Sequence, residues 1–164
     1  MTEPTLDPLV QRAMLSNDVS YEVLPCDPDM ADTAAFCAHY GFAIEQAANT
    51  ILVASKKVAP PKYAACVVLG TTRLDVNKKV RELLAVRRLS FADEETTVNV
   101  TGMMIGGVTA FGIDDLPVYI DSAVMEQAQV VMGGGNRSSK LLLNPNELTK
   151  LPNVVIIEGL AKPT

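Results

Sequence analysis

Two runs rich in β-branched residues, "NTILVAS" (residues 49–55) and "YAACVVLG" (63–70), strongly constrain how this chain can fold. Only residues 56–62 separate them, and this connection contains Pro60 and Pro61. Parallel neighbours need a crossover of a dozen or more residues, so we expect an antiparallel pair joined by a basic connection. Gly70 is expected to end the second strand.

Helices are predicted in three segments with clear start or stop signals. "TLDPLVQRAML" has Asp7 as cap and Pro8 in the first turn, and a second helix is expected from about Met30 to Tyr40, with Gly41 as its stop. In "TTRLDVNKKVRELLAV" the apolar residues after Asp75 follow a helical period.

The remaining segments are short and alternate in type. Strands are predicted in "YEVLPC", "VRRLSF", "LPVYID", "QVVMGG", "KLLLN" and "NVVIIEGL", and short helices or turns in "ADEETTVNVTGM", "SAVMEQA" and "NPNELTKL". Interspersed elements with short connections predict an α+β fold with a mixed, mostly antiparallel sheet and packed helices. We expect residues 1–164 to form one domain, with residues 1–20 as an N-terminal helical extension.

Charge is distributed unevenly along the chain, whose net charge is -5. Residues 1–55, 56–90 and 91–164 sum to -7, +7 and -5. A basic middle segment is typical of a phosphate-facing patch, and a solvated surface explains it equally well. The acidic total argues against non-specific coating of DNA.

Cysteine usage and the N-terminus predict a cytoplasmic protein. Cys26, Cys37 and Cys66 are odd in number and form no C-x-x-C pair, so neither a disulfide framework nor a zinc site is indicated, and no cofactor is expected. The first fifteen residues lack a basic segment followed by an apolar one, and the apolar runs are too short for a membrane span. The fold could still bring Cys26 to His39, although a packed cysteine and a surface histidine are favoured.

Two glycine-rich stretches have both a structural and a functional interpretation. "MIGGVTAFG" (104–112) is apolar and uncharged, and its glycines allow close approach either to a neighbouring strand or to a ligand. "GGGNRSS" (133–139) is either an anion seat or a hairpin turn, with the turn favoured. The acidic cluster of Asp27, Asp29 and Asp32 fits helix capping better than metal binding.

The chain contains, in this order, "CDPDMADTAAFCAHYGFAIEQAANTILV", "TTRLDVNKKVRELL", "TGMMIGGVTAFGIDDLPVYID" and "VVMGGGNRSSKLLLNPNELTKL". This series resembles the YbaK/prolyl-tRNA-synthetase-associated domain family over nearly all of residues 21–151. Its most specific part is "GGVTAFG", "LPVYID" and "GGGNR", which joins two glycine loops through a strand. The resemblance implies a curved, mostly antiparallel sheet and hydrolysis of tRNA esters charged with the wrong amino acid.

The resemblance also implies a site. In that family a glycine loop approaches the aminoacyl group and the terminal adenosine, and here it falls on Gly106 to Ala110. The predicted catalytic residues are Asn49, Gly106 and Gly107, the glycines through backbone N–H groups. Predicted substrate contacts come from Thr50, Val108, Thr109, Ala110, Phe111, Gly135 and Arg137. The lysines predicted to follow the tRNA backbone are Lys56, Lys57, Lys62, Lys78 and Lys79.

Four positions depart from the family pattern. Asn49 stands where a functional lysine is usual, and Ala110 replaces the proline of the loop. Gly133 and Lys140 occupy places where other members present a hydroxyl and an acid. An asparagine can donate and accept hydrogen bonds but supplies no positive charge.

Three functions are therefore considered. The first is a free-standing editing hydrolase acting on the acceptor end of aminoacyl-tRNA, with an aminoacyl-tRNA synthetase as a further candidate partner and no membrane partner. The second is a binding module that keeps the groove for an aminoacyl or nucleotide end without the chemistry. The third is a thiol hydrolase that uses Cys26.

Overall fold

The computed structural model describes residues 5–163. Within this part of the chain the strands are β1 (Glu22–Pro25), β2 (Ala48–Ser55), β3 (Tyr63–Leu69), β4 (Thr72–Leu74), β5 (Leu89–Phe91), β6 (Val118–Asp121), β7 (Val130–Gly133), β8 (Ser139–Leu143), β9 (Val154–Ile157) and β10 (Ala161–Pro163). The α-helices are α1 (Pro8–Ser16), α2 (Thr33–Tyr40), α3 (Arg81–Leu84), α4 (Glu94–Thr101) and α5 (Ser122–Met125). The 3-10 helices are Pro28–Met30, Ile44–Gln46 and Pro145–Lys150, and a π-helical turn, Val76–Val80, leads directly into α3.

The strands form three sheets, with orders β5-β2-β3-β6-β9, β1-β8-β7 and β10-β4. β2 and β3 are antiparallel, as predicted, with Asn49 opposite Val68. β3 pairs with β6, and β6 with β9, in parallel, whereas the other pairings between described strands are antiparallel. The predicted α+β fold with a mixed, mostly antiparallel sheet is therefore confirmed.

Several predicted element ends are confirmed by hydrogen bonds or dihedral angles. The Asp7 side chain accepts a hydrogen bond from the Leu9 N–H at 2.9 Å, and Gly41 ends α2 with φ of 77°. The helix predicted from Met30 begins later, because Asp32 is extended and α2 starts at Thr33. The segment around Asp75 begins with the unpredicted β4, which pairs with β10.

The five-stranded sheet is covered on both faces. Alternate residues of β3 point to opposite faces, so Val67 and Cys66 lie in different core clusters. The first cluster includes Val10 and Met14 of α1, both fully buried, and the second contains the segment from Val76 to Leu84. The helix predicted as an extension therefore packs into a main core. None of the helices formed by residues 5–163 has the length and apolar character of a membrane span.

Candidate functional site

A cavity of about 410 Å³ opens beside the first half of β2, a volume within the range of small-molecule sites. Its other walls come from the start of α2, from the glycine loop near residue 106, and from β7 and β8. The residues that line the cavity include Thr33, Phe36, Asn49, Thr50, Gly106, Val108 and Lys140. The cavity thus brings together Asn49 and Thr50 of β2 and the glycine loop, which the resemblance assigns to one site.

At Thr50, the edge of β2 that faces the cavity pairs with none of the described strands. Further along the same edge, the Leu52 carbonyl accepts from Ala92 N–H and the Lys56 N–H donates to the Arg88 carbonyl, both at 2.9 Å. Because backbone groups alternate between the edges of an antiparallel strand, the N–H and C=O of Thr50 point to this edge too. The Thr50 Oγ1 is also buried and lacks a hydrogen-bond partner among the described residues.

Asn49 is held by α2. The hydroxyl of Thr33, the first residue of that helix, donates to Asn49 Oδ1 at 2.6 Å. With Oδ1 occupied, the amide nitrogen is the part of Asn49 that can donate to a bound molecule. The side chain therefore has a defined orientation at the cavity wall.

The two glycine loops pack against each other, backbone to backbone. Gly107 N–H donates to the Met104 carbonyl at 2.9 Å, and Gly135 N–H donates to the Gly107 carbonyl at 2.7 Å. A Cβ added to Gly107 would lie 2.2 Å from the Asn136 oxygen, which is far inside contact distance. The backbone of the second glycine loop therefore leaves room only for glycine at position 107.

Gly106 and Gly107 differ in what they face. Gly106 lines the cavity and has φ of 89°, a left-handed conformation that glycine adopts readily. Gly107 is buried behind it, and its N–H is already used within the turn. Of the two N–H groups predicted to stabilise charge, the structure thus commits that of Gly107 to the loop itself.

The other predicted substrate contacts divide into two groups. Thr50 and Val108 line the cavity. Those that lie outside the lining are Thr109, Ala110, Phe111, Gly135 and Arg137. Thr109 and Phe111 are fully buried, so they support the wall from behind.

Arg137 fastens the glycine loop to the segment before α2. Its Nε donates to the Pro28 carbonyl and its Nη1 to the Ile105 carbonyl, each at 3.0 Å. Nη1 also lies 3.6 Å from the Asp32 carboxylate. The surrounding "GGGNRSS" stretch connects the antiparallel strands β7 and β8, which confirms the hairpin interpretation.

Lys140, on β8, was not among the predicted site residues, yet its ammonium lies at the cavity. The residue is only 7% exposed, and Nζ donates to the carbonyls of Ala31 at 2.6 Å and Gly106 at 2.8 Å. Nζ also lies 5.7 Å from the centre of the Phe36 ring. Two sequence signals pointed to it: a lysine at the start of the apolar strand "KLLL", and its place where other members of the family present an acid.

The thiols and acids near the cavity do not form a nucleophile and base pair. Burial raises the pKa of the Cys26 and Cys37 thiols, which disfavours the thiolate. His39 is exposed and packs edge-on to Tyr40. Asp27 accepts from the Asp29 N–H and caps a turn, as predicted. Among residues 5–163 no three His, Cys, Asp or Glu side chains are grouped to hold a metal ion.

The predicted tRNA-contacting lysines fall in two places. Lys56, Lys57 and Lys62 are exposed in the connection between β2 and β3, beyond the paired half of β2. Lys78 and Lys79 lie in the π-helical turn before α3. Lys62 Nζ donates to the Leu84 carbonyl at 3.2 Å, which holds the end of α3 beside the connection.

Comparisons with known proteins identify the family of this chain. The model of the family described as "Aminoacyl-tRNA editing domain" matches residues 27–151. The uncharacterized protein YwhH of Bacillus subtilis (strain 168) is 31% identical over 116 residues, which cover 65% of this chain and 73% of YwhH.

Solved structures with similar folds cover almost the whole chain. The crystal structure of the hypothetical protein APE2540 matches with a TM-score of 0.82 and 21% identity, covering 94% of this chain and 99% of the other. A crystal structure described as that of a proposed trans-editing enzyme for prolyl tRNA synthetase matches with a TM-score of 0.77 and 22% identity, covering 98% and 100%. The fold and the family match together show that this chain belongs to the aminoacyl-tRNA editing domain family.

Proposed function

We propose that this protein hydrolyses, in trans, the ester bond of tRNAs charged with the wrong amino acid. The observation that carries the proposal is the cavity of about 410 Å³ that has Asn49 and Thr50 on one side and Gly106 and Val108 on the other. An activated ester needs only a positioned water molecule and hydrogen-bond donors for the developing oxyanion. The absence of a nucleophile and base pair near the cavity is therefore compatible with this reaction.

The described contacts suggest a role for each wall. The open edge of β2 at Thr50 offers a backbone N–H and C=O to the polar groups of an aminoacyl ester. It also offers the Thr50 hydroxyl, which has no partner among residues 5–163. The Asn49 amide nitrogen would orient the ester or the attacking water. Val108 and Phe36 give the cavity apolar surface, which suits a small neutral side chain of the amino acid.

The acceptor end would enter while the tRNA backbone follows the exposed lysines. Lys56, Lys57 and Lys62 lie beyond the end of the strand whose first half lines the cavity. Phosphate contacts of this kind add affinity that does not depend on sequence. Such a protein would work in the cytoplasm beside an aminoacyl-tRNA synthetase.

A second candidate function is recognition of a charged tRNA end without hydrolysis. Asn49 favours it, because this side chain is neutral and its oxygen is already bonded to Thr33. The cavity would then select an aminoacyl or nucleotide end for delivery or regulation. Binding without turnover distinguishes this function from the first.

The test uses a panel of mischarged tRNAs and measures both amino acid release and filter binding. We expect release from at least one tRNA, and we expect Asn49→Ala to slow it by about 100-fold, the size of effect seen when a positioned donor is removed. Thr33→Val is the matched control, since it removes the same hydrogen bond but keeps the Asn49 amide. It should slow release by less than about five-fold.

The outcomes separate the candidate functions. If the protein binds charged tRNA but releases amino acid from every tRNA only at the background rate, the hydrolase function is excluded and the binding function is supported. Equal losses in Asn49→Ala and Thr33→Val would show that the amide matters only as a partner of α2. Cys26→Ser should release amino acid at the wild-type rate, and a large loss in that variant would favour the thiol mechanism instead.

A further inference from the structure

We propose that the Lys140 ammonium is a catalytic residue of this site, donating a hydrogen bond to the oxygen that becomes negatively charged when the ester is attacked. This inference rests on the proposed hydrolase function and deepens it. It assigns the positive charge of the cavity to β8, a strand from which no catalytic residue was predicted.

The position of the ammonium carries the inference. Lys140 lines the cavity, and its Nζ lies between the segment that precedes α2 and the glycine loop. It donates to the Ala31 carbonyl at 2.6 Å and to the Gly106 carbonyl at 2.8 Å. An ammonium has three N–H donors, so one is left after these two bonds. The two carbonyls fix the nitrogen in place, as a preorganised donor requires.

The charge around Lys140 is not compensated by a dedicated carboxylate. The charged or titratable groups that face it are Cys26, Cys37, Asp32 and Arg137. The thiols have raised pKa values, and the Asp32 carboxylate is 75% exposed and lies 3.6 Å from Arg137. A buried cation bonded only to neutral carbonyls favours an anion at the same place.

The reaction needs no group beyond those named. The oxygen of a water molecule forms a bond to the acyl carbon, and the carbonyl oxygen takes up the negative charge beside Lys140. The bond from the acyl carbon to the ribose oxygen then breaks. One proton of the water passes to that ribose oxygen, and the other leaves from the carboxyl group of the released amino acid.

Burial also predicts how the effect varies with pH. Desolvation is the largest cause that lowers the pKa of Lys140 from 10.5, and the Cys26 thiol opposes it. The protonated form is the one that donates and carries charge. Affinity for an oxyanion mimic should therefore fall as pH rises through a value below 10.5.

The experiment compares two non-hydrolysable analogues of the aminoacyl adenosine end. One carries a neutral amide in place of the ester, and the other a phosphonate that resembles the tetrahedral oxyanion. We expect Lys140→Met to weaken phosphonate binding by about 100-fold and amide binding by less than about three-fold. The same variant should lower kcat for a mischarged tRNA by about 100-fold and change KM by less than about three-fold.

Two further variants serve as controls. Lys140→Arg keeps the charge and should retain more phosphonate affinity than Lys140→Met. Lys150→Met removes an exposed lysine that pairs with Glu147, and it should leave both affinities unchanged. If Lys140→Met does not fold, as shown by thermal unfolding, phosphonate binding by the wild-type protein is measured against pH. Binding that stays constant up to pH 10.5 overturns the role of Lys140.

The experiment distinguishes failure of the Lys140 role from failure of the proposed hydrolase function. Equal losses of amide and phosphonate binding in Lys140→Met would make the residue a structural clamp between α2 and the glycine loop, and would overturn its role while the hydrolase function stands. A wild-type protein that binds neither analogue and releases no amino acid would overturn the proposed function, and this inference with it.

Discussion

The two halves of β2 differ in what lies along the same edge. From Val53 to Ser55 the edge pairs with β5, and Val53 is fully buried. Around Thr50 the edge faces the cavity instead, and the polar side chains of Asn49 and Thr50 line it beside the apolar Ile51. One edge of a single strand thus changes from paired, which we call the sealed half, to unpaired among the described strands, the open half, within a few residues.

This difference shows how the geometry of a single strand can shape a candidate binding site. Unpaired strand edges are usually covered or shortened, because they otherwise attract other chains. In this protein the first half of β2, the open half, borders a cavity and not another strand. The glycine loop forms the opposite wall of that cavity. The shape of the cavity beside the open half then depends on how the glycine loops pack. The position of the sealed half, Val53 to Ser55, depends on its pairing with β5.

The largest expected effect comes from disturbing the wall opposite the open half. Gly107→Ala would place a Cβ 2.2 Å from the Asn136 oxygen and 2.6 Å from its carbonyl carbon and nitrogen. Backbone must move to relieve this contact, at a cost of about 3 kcal/mol in the free energy of unfolding. At about 2–4 °C per kcal/mol, Tm should fall by about 6–12 °C. Release of amino acid should slow by more than about 100-fold, because a small displacement of the wall misplaces the ester.

Gly159→Ala is the matched control for this prediction. Gly159 has φ of 74°, and an added Cβ would meet nothing within 4 Å. The variant should therefore lose stability only through backbone strain, by about 1–2 kcal/mol, and keep its rate of release. Normal activity in Gly107→Ala would show that the open half of β2 does not depend on the packing of the two glycine loops.

A smaller effect is expected from the hydroxyl on the open edge. Thr50→Val removes a buried Oγ1 that has no partner among the described residues, so the free energy of unfolding should rise by about 1 kcal/mol. Because the proposed function has this hydroxyl contact the substrate, release of amino acid should slow by about 10-fold, which corresponds to about 1.4 kcal/mol. Chemical denaturation and single-turnover release measure the two quantities.

Thr109→Val provides a close comparison. Its Oγ1 is also buried and without a partner in the described part of the chain, but Thr109 does not line the cavity. It should gain stability in the same way and keep its activity. A loss of activity in Thr109→Val equal to that in Thr50→Val would remove the distinction between the open edge and the wall behind it.

The sequence predicts the sealed half of β2 better than the open half. Strand pairing and helix caps depend on local patterns, so the pair of β2 with β3 and the cap at Asp7 were predictable. The strands β4 and β10 were missed because they are short and because each pairs, among the described strands, only with the other. Their pairing joins segments almost ninety positions apart.

The site was only partly predictable, for a different physical reason. Asn49 and Gly106 were placed together correctly at one cavity through the order of motifs. Lys140 was not, because its burial depends on β8, α2 and the glycine loop meeting in space. The pair of adjacent glycines likewise has a tertiary explanation, since the backbone of Asn136 leaves no room for a side chain at Gly107.

The smallest effect is expected beyond the sealed half, at the exposed lysines. Changing Lys56, Lys57 and Lys62 together to Glu should weaken tRNA binding by about five-fold at physiological salt and reduce the slope of log affinity against log salt by about 2–3. The maximal rate should not change, because these side chains lie outside the cavity lining. Lys162→Glu, an exposed charge on β10, is the control and should alter neither quantity. A salt slope that the triple variant leaves unchanged would assign these lysines to the solvated surface, and the same measurement on Lys78→Glu with Lys79→Glu would then show whether the tRNA follows the helical side of the basic segment instead.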